Sequence, residues 1–177
     1  MILEVSSQLK NVQPAAIVVS CGGGGLLLGV IEAVDELKWF DTQIIVVETE
    51  GASSFNLMTK SGGKRARLEK MSSIAVTLGA LEVAPKLVAD YFSGDYQMTS
   101  LIVSDKEAVE ATVMVLNQHR ALVELSCAAS LAAIYNGSVE KVLKSKNILS
   151  GDIVAILCGG AGVNETILSS WKKHLDV

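Results

Sequence analysis

Ser20-Cys21-Gly22-Gly23-Gly24-Gly25-Leu26-Leu27 places four consecutive glycines between a β-branched apolar run, Ala16 to Ser20, and a helical pattern running from about Gly25 to Lys38. The run before the glycines reads as a strand covered on both faces. Glycines at such a junction have a physical use. Without Cβ atoms, successive main-chain N–H groups can turn toward one anion, and the helix N-terminus adds about half a positive charge. A phosphate is the natural guest. The simpler reading, a tight turn with no ligand, needs fewer glycines than the chain spends here.

Two further runs, Gln43 to Glu48 and Ile153 to Cys158, read as buried strands, and Met98 to Val103 as a fourth and weaker one. Helical patterns lie between and after them, at about Ser53 to Lys60, Asp105 to Leu116, Val123 to Tyr135 and Asn164 to Lys173. Ser104-Asp105-Lys106-Glu107 predicts a capping box, and Asn136-Gly137 predicts a helix end. Strands alternating with helices predict an α/β fold of three layers around a mostly parallel sheet. Neither proline, Pro14 or Pro85, interrupts an element, and no repeat or linker divides residues 1–177, so one unit is expected.

The 177 residues are half hydrophobic, with 15 basic against 19 acidic side chains and a formal net charge of −4. That balance and a 5% aromatic content argue against a nucleic-acid partner, since neither a basic footprint nor a stacking platform is present. No apolar stretch approaches the roughly 18 residues of a membrane span, and no membrane association is expected. The first residues lack a secretory pattern, so a cytoplasmic setting is expected. Cys21, Cys127 and Cys158 are odd in number without Cys-x-x-Cys spacing, and only His119 and His174 could join them. Zinc and disulfide frameworks are disfavoured.

Spacing narrows the phosphate ligand. A dinucleotide fingerprint requires glycine where Leu27 or Leu28 stands, although Glu48, closing the second strand, occupies the place of a ribose-reading carboxylate. A Rossmann-like nucleotide module is therefore the alternative reading. Gly63-Lys64-Arg65 neither follows a strand nor ends as a P-loop does. Lys64, Arg65, Arg67 and Lys70 read as a solvated basic loop. Glu48 ends an apolar strand and, unless it lies in an exposed loop, needs a partner against desolvation. Glu124 reads as a first-turn carboxylate complementing a helix dipole.

A second strand-glycine-helix junction, Cys158-Gly159-Gly160-Ala161-Gly162, pairs with the first. With Val47-Glu48-Thr49-Glu50-Gly51-Ala52, Ile74-Ala75-Val76-Thr77-Leu78-Gly79 and Leu122-Val123-Glu124-Leu125-Ser126-Cys127-Ala128-Ala129, the chain resembles the serine/threonine dehydratases. These are pyridoxal-phosphate enzymes of the tryptophan-synthase-β fold type, and the L-serine dehydratase branch is the nearest in pattern. The resemblance implies that Gly22, Gly23, Gly24 and Gly25, with Leu26, hold the cofactor phosphate. It places Cys158 beside the pyridine nitrogen, where a neutral thiol leaves that nitrogen free to lose its proton and so favours β-elimination. It also implies a monovalent cation, potassium, bound by Glu48 and the carbonyls of Gly22, Ala52, Leu78 and Ala80. Leu125 and Ala128 depart from the family pattern, which usually carries proline and glycine there.

The family's Schiff-base lysine lies in an amino-terminal motif resembling Ser/Phe-x-Lys-x-Arg-Gly, and nothing similar occurs in this sequence. The resemblance therefore implies the carboxy-terminal part of the large domain, without catalytic residues of its own, inactive alone and inclined to self-associate as a dimer. The parent reaction would convert L-serine to pyruvate and ammonia, or L-threonine to 2-oxobutanoate and ammonia. A serine racemase uses the same parts, and a non-catalytic subunit pairing with full-length partners is a further alternative.

Overall fold

Every residue of Ala16–Ser20 is buried, and this strand, β1, is the interior of a four-stranded sheet in the computed structural model, which describes residues 1–177. Gln43–Thr49 forms β2, Met98–Val103 β3 and Ile153–Ala155 β4, in the order β3-β2-β1-β4 with every pairing parallel. Val18 sits opposite Ile45 on one side and Ala155 on the other.

The alternation of side chains along each strand divides the core in two. Ile17, Val19, Ile44 and Val46 face one cluster, completed by helices α1 (Ile2–Gln8), α2 (Gly25–Leu37), α3 (Ser54–Thr59) and α4 (Pro85–Ser93) through Ile2, Leu27, Phe55 and Leu87. Ala16, Val18, Ile45 and Val47 face the other, built from α5 (Asp105–His119), α6 (Leu125–Tyr135), α7 (Ser138–Ser145) and α8 (Glu165–Leu175). Three layers follow, as the alternation of strand and helix patterns predicts. α6 is buried along Leu125 to Ala133, and its alanines, serines and cysteine let it lie close to the sheet. The backbone N–H of Ser130 donates to Ser20 Oγ at 3.2 Å, tying the end of β1 to this helix.

The capping box at Ser104 is present, with Glu107 reaching back to it, and Gly137 adopts the left-handed conformation after α6. The differences lie at weaker signals. β4 is shorter than the run Ile153 to Cys158: the Ile156 N–H still donates to Val18 O at 3.0 Å, but Leu157 and Cys158 leave the ladder. α1, α4 and α7 were not anticipated. α4 nevertheless carries proline at its first turn and the left-handed Gly94 at its end, the usual asymmetry of helix termini. No helix is long and apolar enough to cross a membrane.

Candidate cofactor site

The strand order creates a switch point. The connections β1 to β2 and β2 to β3 run through α2, α3 and α4 on one face, whereas β3 to β4 runs through α5, α6 and α7 on the other. A crevice opens beyond the carboxyl ends of β1 and β4, where ligands bind in open parallel sheets. A cavity of about 310 Å³ lies there, lined by the glycine loop from β1, by Cys158 and Gly159 beyond β4, and by Thr77, Glu124, Ser126 and Cys127.

None of the main-chain N–H groups from Gly22 to Leu27 donates to another protein group, and α2 has no side-chain cap. Their carbonyls turn elsewhere. Gly22 O faces Ser54 Oγ at 3.5 Å, Gly23 O accepts from the Ala84 N–H at 2.9 Å, and Gly24 O accepts from the Leu28 N–H at 2.8 Å. Gly24 has φ +96°, and a Cβ on it would stand 2.7 Å from Leu87 Cδ2. A Cβ on Gly25 would meet no protein atom within 4 Å, so the space over this helix terminus is open. Uncapped amides beneath open space fit a phosphate. No lysine or arginine lines the cavity, so the amides and the α2 dipole supply its positive potential.

The second glycine run serves a different purpose. α8 is capped by Asn164, whose Oδ1 accepts from the Ile167 N–H at 2.9 Å, so its terminus is already satisfied. Gly160 passes so close to the Leu122 carbonyl that any Cβ would collide with it. These glycines bring the segment after β4 against residues 122–124. Glu124 fastens it there: Oε1 accepts the Gly162 N–H at 2.8 Å and Oε2 accepts the Thr77 hydroxyl at 3.1 Å. Thr77 Oγ1 lies 2.5 Å from Ser126 Oγ. Glu124 is therefore not the dipole-complementing first-turn residue that the sequence suggests, but an N-cap residue whose side chain lines the cavity and latches its far wall.

Cys158 is exposed and Cys127 buried, and both line the cavity. Cys127 Sγ accepts the Cys158 N–H at 3.2 Å. The neighbouring Cys158 lowers the Cys127 thiol below its ordinary value against the opposing effect of burial, and the same pairing, with burial, raises the Cys158 thiol.

Glu48 is fully buried, so it is not an exposed loop carboxylate. Its oxygens accept the N–H groups of Phe55 and Asn56, each at 2.7 Å, at the start of α3. Burial outweighs these two bonds and pushes the carboxyl up to about 7. Burial, reinforced by the Glu48 charge, also raises the Cys21 thiol. Of the residues expected to hold a cation with Glu48, Gly22 and Leu78 approach one another closely. A Cβ on Gly22 would lie 3.3 Å from Leu78 Cα, a Cβ on Gly23 would lie 3.6 Å from that of Ala80, and Ala52 is fully buried. Leu78 O already accepts the Ala80 N–H at 2.7 Å.

His119 and His174 are exposed, away from the cavity. In the basic loop, Arg65 and Arg67 both bond Glu82. Thr77, Ser126 and Cys127 lie within stretches that carry the family resemblance, but their contacts are not legible there, because each acts through partners distant along the chain.

The profile of the pyridoxal-phosphate dependent enzymes matches residues 1–159, and the chain belongs to that family. Within it, the chain is similar to the bovine L-serine dehydratase/L-threonine deaminase, 39% identical over 166 residues, which are 92% of this chain and 50% of the relative. A fungal L-serine ammonia-lyase from Rhizomucor miehei superposes with a TM-score of 0.88 at 32% identity, over 97% of this chain and 53% of that one. Maize serine racemase gives 0.71 at 27% identity, over 98% of this chain and 51% of its own. The chain spans about half the length of the relatives it matches.

Proposed function

We propose that this chain forms the phosphate-binding face of a pyridoxal-phosphate-dependent L-serine/L-threonine ammonia-lyase. The observation that carries the reading is the run of unbonded amides from Gly22 to Leu27 beneath open space. Gly22, Gly23, Gly24, Gly25 and Leu26 hold the phosphate through their N–H groups, and Cys158 lies at the ring-nitrogen edge. Bound pyridoxal phosphate supplies an electron-accepting ring that draws charge from the substrate Cα. Glu124 keeps the wall bearing Cys158 in place through Gly162 and Thr77. Thr77 and Ser126 present hydroxyls to the cavity, suited to the polar groups of a small amino acid.

No lysine lines the cavity, and the reading assigns none of this chain's lysines to the chemistry. The chain alone is expected to bind without turnover. The parent activity is loss of water and ammonia from L-serine or L-threonine, in the cytoplasm and as a dimer. Self-association is supported by the exposure of Leu149, Ile153 and Leu157 around the β4 edge. The likeness to maize serine racemase supports racemisation as the second reading, and the product that the parent protein forms from L-serine, pyruvate or D-serine, separates the two.

A potassium ion belongs to the same proposal, held by Glu48 and the carbonyls of Gly22, Ala52, Leu78 and Ala80. Its support is the buried carboxyl whose two amide bonds do not offset desolvation. Oxygen-only donors suit a hard cation.

The test is titration of the chain with pyridoxal phosphate, pyridoxal and NAD, followed by ligand absorbance and calorimetry. Reversible binding of pyridoxal phosphate alone is expected. Equal retention of pyridoxal would remove the phosphate cradle, and preferential NAD binding would favour a nucleotide module. Borohydride fixing the cofactor to a lysine of this chain would overturn the absence of chemistry.

A further inference from the structure

Two of the three cysteines meet although 31 residues separate them. Cys127 is the third residue of α6, and Cys158 lies in the segment leaving β4. Cys127 Sγ rests against the main chain of Cys158, accepting its N–H at 3.2 Å, and both side chains line the same cavity. Their exposure is asymmetric: Cys158 is open to solvent, while Cys127 is 1% exposed. A paired exposed and buried thiol suits a two-step exchange, one sulfur meeting the oxidant and the other resolving it. Cys21, buried and raised by burial and by Glu48, is outside this arrangement.

We propose that Cys127 and Cys158 form a redox-modification site that low-molecular-weight disulfides of the glutathione class convert to an intramolecular disulfide. In the first step the Cys158 proton passes to the Cys127 thiolate, and Cys158 sulfur attacks the small disulfide, forming a mixed disulfide and expelling one thiolate. Cys127 then gives its proton to that thiolate and attacks the Cys158 sulfur, expelling the second thiolate. One protein thiol and one protein thiolate are oxidised to the disulfide, and one small disulfide is reduced to a thiol and a thiolate that takes its proton from solvent. The pairing holds the Cys127 thiol below the ordinary thiol range and the Cys158 thiol above it, so the Cys127 sulfur, which accepts the Cys158 N–H, is placed to take the Cys158 proton. Closure would tie the first turn of α6 to the β4 exit and remove a free thiol from the cavity wall. This inference stands on the thiol geometry and does not require the cofactor reading.

The experiment treats the folded chain with oxidised glutathione near neutral pH, blocks remaining thiols with iodoacetamide, and maps the peptides by mass spectrometry. The expected product links the peptides of Cys127 and Cys158, with Cys21 alkylated only after unfolding. Cys127→Ser should instead retain glutathione on Cys158. In a second measurement, the pH midpoint of Cys127 alkylation lies below the ordinary thiol value in the parent and rises in Cys158→Ala, which removes the neighbouring thiol. A stable mixed disulfide on Cys158 in the parent chain, a link involving Cys21, or an unmoved midpoint in Cys158→Ala would overturn the proposal.

Discussion

Gly24 and Gly25 stand side by side but report different things when replaced. At Gly24 the left-handed φ and the approach of Leu87 exclude any side chain, so Gly24→Val is expected to lower stability as well as binding. Gly25 is helical and its Cβ position is open, so Gly25→Ala should leave the thermal midpoint unchanged or raised. It nevertheless places a methyl group over the amides. Loss of one charge-assisted hydrogen bond, roughly 1.5–3 kcal/mol, predicts phosphate binding weaker by about ten- to a hundredfold. If the glycines serve only the turn, phosphate binding is absent in both chains. Calorimetry with pyridoxal phosphate and a melting curve make the distinction.

Glu48 carries a prediction in pH. Its carboxyl moves from an ordinary value of 4.5 up to about 7 in the folded chain, so the folded state holds a proton that the unfolded state has released. Stability therefore falls as pH rises between those values, by on the order of 3 kcal/mol. Urea midpoints at pH 5 and 7.5 should show that fall in the parent chain and a flatter profile in Glu48→Gln. Potassium, compared with a bulky organic cation, should restore part of the midpoint at pH 7.5 and little at pH 5, where the carboxyl is protonated.

The elements that carry strong local signals were legible in the sequence. β-branched runs fixed β1 and β2, Ser104 and Glu107 fixed the start of α5, and Asn136-Gly137 fixed the end of α6. α1 lacks a side-chain cap and is short, and α7 starts from the same glycine that closes α6, so neither advertises itself. The two glycine junctions look alike in sequence and differ in structure because of one side chain. Asn164 caps α8, whereas nothing caps α2. Asn164→Ala is expected to cost about 1 kcal/mol of stability, measured by urea unfolding, without changing phosphate binding. Gly160→Ala should cost more than that, because backbone opposes its Cβ and the segment bearing Cys158 must move away from Leu122. Unchanged stability in Gly160→Ala would contradict the close approach of these segments.

At the scale of the molecule, the sheet order matters more than any motif. Crossing from one face to the other between β1 and β4 brings the glycine loop and Cys158 to the same crevice, although more than a hundred residues separate them. Sequence reading reached the loop and Cys158 because each belongs to a local pattern. It did not reach the Glu124 latch or the Cys127 contact, since both depend on tertiary distances that no spacing along the chain encodes. The half-length match to the relatives and the exposed apolar side chains around the β4 edge belong to this scale too. The direct measurement is the amide spectrum of the isotopically labelled chain during titration with pyridoxal phosphate. The account predicts that the resonances of Gly22 to Leu27 shift together and saturate, and that pyridoxal lacking the phosphate leaves them in place. Resonances of that loop standing still while amides elsewhere move would contradict it.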